Sequence, residues 1–70
     1  MEYTILYNLY GLLKVKALRY GDLHAIKAEA GKAFHAKRVK EVVVHDQKGN
    51  VYLFLRRVGG GVYLRSEVKS

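Results

Sequence analysis

Seventy residues, half of them apolar, make one small domain near the lower size for independent folding and argue against disorder. The absence of cysteine excludes a disulfide framework and thiolate metal sites and suits an intracellular, cytoplasmic protein, and no apolar run is long enough to span a membrane. Thirteen Lys and Arg against six Asp and Glu leave a net charge of +7, a field that attracts polyanions.

In chain order, residues 2–9 alternate Tyr3, Ile5, Tyr7 and Leu9 against Glu2, Thr4, Leu6 and Asn8, the period-2 pattern of a strand with one apolar face. Asn8-Leu9-Tyr10-Gly11 supplies turn residues. Residues 12–19 then alternate Leu13, Val15 and Ala17 against Lys14 and Lys16, a half-buried strand with a basic outer side. A hairpin is expected, the rival being one long strand bent by a bulge at Gly11.

Asp22 suits a helix N-cap, where its charge also complements the positive end of the helix dipole. Leu23, Ile26, Ala30, Ala33 and Phe34 recur at helical spacing, and Lys37 with Arg38 would close the last turn. From Val39 the chain reads as a three-stranded meander. Val42-Val43-Val44, Val51 to Leu55 and Val62-Tyr63-Leu64 are separated by an Asp46–Gly49 turn and by Gly59-Gly60-Gly61. The expected fold is therefore a single α+β domain over residues 1–70, in the order ββαβββ.

Three-residue loops at both turns would pair Asp46 with Asn50, Val44 with Tyr52, Val42 with Phe54, Lys40 with Arg56 and Val58 with Val62. Val42, Val44, Tyr52 and Phe54 would then share one face, and Val43, Leu53, Leu55 and Tyr63 the other. The middle strand is apolar on both faces, and one helix covers only one. The second face needs the N-terminal hairpin, a second subunit or a ligand with flat apolar groups. A homodimer is expected, with Leu53 and Leu55 on the shared face.

The function expected is nucleic-acid binding, DNA or RNA, with little sequence specificity, through phosphate contacts at the sheet end that holds the glycine turn. Lys37, Arg38, Lys40, Arg56, Arg57 and Arg65 are the candidate contacts, with Lys14, Lys16 and Arg19 as a second basic strip. Tyr52, Phe54 and Tyr63 interleave with this charge, as aromatic side chains do where unpaired bases stack. The alternative is a protein-interaction or assembly module, an antitoxin-like or phage-accessory homo-oligomer whose charge is incidental. Catalysis is not expected. No nucleophile–base constellation or phosphate loop is present, and eleven helical residues would hold His24 and His35 about 16 Å apart. No cofactor, metal, membrane or small-molecule substrate is expected either.

Overall fold

The computed structural model describes residues 1–68. Strands β1 (Glu2–Leu9) and β2 (Leu13–Tyr20) form the hairpin, followed by helix α1 (Leu23–Phe34). Strands β3 (Val39–Asp46), β4 (Val51–Gly59) and β5 (Val62–Glu67) form the meander. The hairpin does not stack on the meander. It extends it, because β1 pairs antiparallel with β3, giving one five-stranded sheet in the order β2-β1-β3-β4-β5.

The helix begins where the sequence places it. The Asp22 side chain accepts the His24 amide at 3.2 Å, satisfying one of the orphan N–H groups of the first turn. Ile26, Ala30 and Phe34, at i, i+4 and i+8, turn inward onto Tyr3, Ile5, Val42, Val44, Leu53 and Leu55. Burying side chains such as Ile26 and Phe34 is worth about 1.5–3 kcal/mol each. The helix stops at Phe34, before Lys37 and Arg38, which lie in the loop to β3. Two ion pairs hold α1 to the outer strands: Arg19 on β2 with Glu29 at 2.8 Å, and Lys27 with Glu67 on β5 at 3.2 Å.

The turns depart from expectation by single residues. Leu9 pairs with Leu13, so the first hairpin closes through Tyr10-Gly11-Leu12, with Gly11 and Leu12 at positive φ. The Asp46–Gly49 turn forms as expected, with the Gly49 amide donating to the Asp46 carbonyl and the Asp46 amide to Asn50. Immediately beyond it, however, His45 pairs with Val51 and Val44 with Leu53, so Tyr52 is an extra residue on β4. This bulge reverses the expected faces of the middle strand. Val42 and Val44 face the helix with Leu53 and Leu55, not with Phe54. Leu53 and Leu55 are core residues, each 1 % exposed, so the reason given for a dimer through them falls away. The glycine loop is also shorter than expected: Val62 pairs with Gly59, not Val58, and Gly60 and Gly61 both have positive φ, as a two-residue hairpin turn requires. β2 is exposed along almost its whole length rather than half-buried, because the helix sits over β3 and does not cover it.

Asp46 closes the sheet at the β3–β4 turn. It is 5 % exposed, and its carboxylate accepts from the Lys48 and Asn50 amides, both at 2.9 Å, and from Asn50 Nδ2 and the Tyr52 hydroxyl, both at 3.0 Å. These bonds, that from the Asn50 side chain above all, outweigh burial and lower the carboxyl pKa from 3.8 to about 2. A depressed folded-state pKa stabilises the protein fully above the unfolded value, and that contribution is lost as pH falls from about 4 to about 2. The melting temperature of the wild type should fall across that window. Asp46→Asn should melt lower at neutral pH and lose much of the acid-dependent fall, as thermal denaturation monitored by circular dichroism would measure.

Candidate nucleic-acid interface

The sheet has a face covered by α1 and an open face. On the open face, cross-strand pairing lines up Lys16, Leu6, Val43, Phe54 and Ser66 in one row, and Lys14, Asn8, Glu41, Arg56 and Leu64 in the next. Adjacent rows lie two residues apart along each strand, about 6.7 Å. Leu6, Val43 and Phe54 are half-buried yet belong to no part of the core beneath the helix.

At the end of this face lies a cleft of about 340 Å³ lined by Lys14, Lys40, Arg56, Asn8, Glu41 and the tip residues Leu12 and Leu13, with Leu9. Lys40 reaches it through a second bulge. Asn8 pairs with Glu41 and Leu9 with Val39, so Lys40 is the extra residue on β3 and shares the cleft with Glu41 instead of alternating away from it. Among the described residues, Glu41 is the only carboxylate lining the cleft. It accepts from Asn8 Nδ2 at 2.7 Å and lies 3.8 Å from Arg56 Nε. The expected like-charge pair Lys40–Arg56 is thus replaced by the opposite-charge pair Glu41–Arg56. Asn8 Oδ1 is buried and has no hydrogen-bond partner among the described residues.

Lys37 and Arg38 belong to the same end of the molecule. Their loop is tied to the first hairpin by the Tyr10 amide, which donates to the Arg38 carbonyl at 3.0 Å. The carboxylates lie elsewhere. Glu2, Asp22, Asp46 and Glu67 all fall toward the opposite end of the strands, and Glu29 is on the helix. Of the candidate residues, Lys14, Lys37, Arg38, Lys40 and Arg56 are therefore brought together, with Lys16 one row away.

Three candidates go elsewhere. Arg19 is held by Glu29, and Arg65 by Glu67 at 2.6 Å; both pairs lie on the helix side of the sheet. The Arg19–Glu29 contact raises the arginine pKa and lowers that of the glutamate, each chiefly through their hydrogen bond. Arg57 is a structural residue. Its Nε donates to the Val39 carbonyl at 2.9 Å, Nη2 donates to the Phe34 and Ala36 carbonyls, and the guanidinium lies 4.5 Å above the Phe34 ring. It thereby satisfies the carbonyls that a helix C-terminus leaves free. Phe34 also meets Tyr63 edge-on, at 5.3 Å between centroids. Of the interleaved aromatics, Tyr63 thus packs against the helix end and Tyr52 against Tyr3, and Phe54 alone belongs to the open face.

The chain matches no protein-family model, no curated protein and no solved structure. Among the described residues no group of His, Asp and Glu is placed to hold a metal ion, and no helix is long and apolar enough to cross a membrane.

The adjacent arginines make opposite predictions. Arg57→Ala should destabilise the fold by about 2 kcal/mol, because charge-assisted bonds to buried carbonyls are lost. Arg56→Ala, which gives up one long, exposed ion pair, should change stability by less than about 0.5 kcal/mol. Urea denaturation of the two single variants tests the assignment, and equal losses would refute it.

Proposed function

We propose that this protein binds nucleic acid with little sequence specificity, holding phosphates at the cationic end of the sheet. The observation that supports this reading is the convergence of Lys14, Lys40 and Arg56 on one cleft beside Lys37 and Arg38, with most carboxylates at the other end. Charge separated in this way orients a polyanion toward one end before contact. Lys and Arg there would grip the backbone and leave base identity unread. An intracellular setting suits both the cysteine-free composition and such a partner.

The test is fluorescence anisotropy with DNA and RNA of arbitrary sequence over a salt series. Replacing Lys14, Lys40 and Arg56 together by Gln should weaken binding more than tenfold on every sequence. It should also lower the slope of log affinity against log salt by roughly 2 to 3, as expected for three lost phosphate contacts. Replacing Lys32 on the helix and Lys48 at the far turn should change affinity less than twofold. Equal damage from the two sets, or no retention of nucleic acid at low salt, would overturn the reading.

A second reading, self-association, draws on a different observation. β2 is an eight-residue edge strand whose Leu13, Val15, Leu18 and Tyr20 are exposed, and an unprotected edge is a template for another strand. Antiparallel pairing with a second copy about Ala17 would set Lys16 against Leu18 and Lys14 against Tyr20, with no two lysines opposed. Sedimentation should then show a dimer that Val15→Glu weakens. A monomer at high concentration would exclude it.

A further inference from the structure

We propose that the open sheet face is a stacking platform for unpaired bases, so that the nucleic acid bound is a single strand rather than a duplex; this rests on the phosphate-binding reading above. Leu6, Val43 and Phe54 form an apolar stripe across three adjacent strands, on a face that no other part of the described chain covers. Leu18 on β2 and Leu64 on β5, each more than half exposed, extend the apolar surface toward both edges. Five strands at the usual spacing make this face about 19 Å wide.

The stripe is bordered by charge of one dominant sign. Lys16 ends its own row, and Lys14 and Arg56 stand in the row beside it, with Lys40 on the rim of the cleft. The carboxylates of the face are already engaged, Glu41 by Asn8 and Arg56, and Glu2 by Gln47 at 2.5 Å. A ligand that fits must offer flat apolar surfaces and, one row away, negative charge. Those are the attributes of a single strand, whose bases expose their faces while its phosphates run alongside. A duplex keeps its base faces stacked inside and can offer only its backbone. Every base has a π-face, so such a surface tolerates any sequence. A second copy laid on this face would bring two molecules of charge +7 together.

The chain holds no tryptophan, so Phe54→Trp introduces a single reporter within the stripe. Its emission should be quenched by mixed-sequence single-stranded DNA or RNA oligonucleotides, and much less by the corresponding duplex. Phe54→Leu, checked by melting to be folded, should lose about tenfold or more in single-strand affinity while duplex affinity and the salt slope stay near wild type. If Phe54→Leu binds both forms like wild type while the Lys14, Lys40 and Arg56 replacement loses both, the platform is refuted and the phosphate grip stands. If the wild type retains neither nucleic acid, both readings fail. If the tryptophan emission shifts with protein concentration alone and the protein sediments as a dimer, the face belongs to a second copy and the platform is refuted. Should Phe54→Leu not fold, the quenching of Phe54→Trp by single strand against duplex decides alone.

Discussion

One helix has to serve five strands. A helix is about 10–12 Å across, so α1 lies over β3 and touches β1 and β4 but does not cover the width of five strands, about 19 Å. Its three inward residues, Ile26, Ala30 and Phe34, define where the core is. Beneath them Ile5, Val42, Val44, Leu53 and Leu55 are buried, while the outermost strands on either side stay exposed. The opposite face of the sheet is left without a layer by the described residues. The features on which the proposed binding rests, namely the apolar stripe, the flanking lysines and the β2 edge, all follow from this shortage of covering structure.

The ends of the fold are secured by two polar devices, one buried and one half-buried. At the β3–β4 turn the Asp46 carboxylate gathers four donors. At the other end Arg57 gathers the free carbonyls of the helix C-terminus and the start of β3. Each charged group is stable there because its hydrogen-bonding capacity is largely filled by the surrounding backbone and side chains. Arg19–Glu29 and Lys27–Glu67 are pairs that join helix to sheet, and Arg65–Glu67 lies within β5, each contributing little alone. Once these residues are occupied, most of the remaining positive charge among the described residues lies beside the first hairpin and the glycine turn, where Glu41 is the one described carboxylate lining the cleft.

Under the proposed function, the cleft and the open face would divide the work of recognition between long-range and short-range forces. Cations at the end of the sheet act over about a Debye length, and salt weakens them. Apolar contact on Leu6, Val43 and Phe54 acts only at touching distance and depends little on salt. A strand crossing from one to the other would be drawn by charge and retained by stacking.

The sequence by itself determined the element order, because period-2 alternation, helical spacing and glycine turns are local signals. It located the helix start at Asp22 and the turn at Asp46–Gly49 for the same reason, since a cap and a turn are each made within a few residues. Only the tertiary structure decided which side chains share a face. Three extra residues, Lys40, Tyr52 and Val58, sit where the pairing register shifts, and each shift changes the parity of the strand beyond it. The bulge at Tyr52 sends Leu53 and Leu55 into the core and Phe54 to the open face, and the one at Lys40 brings that lysine into the cleft. Arg56 and Arg57, adjacent in the chain, consequently part to opposite faces, one to the candidate interface and one to the end of the helix. No local pattern marks a bulge of this kind. It arises from matching strand to strand across the sheet, where β1 and β3 are separated by β2 and the helix.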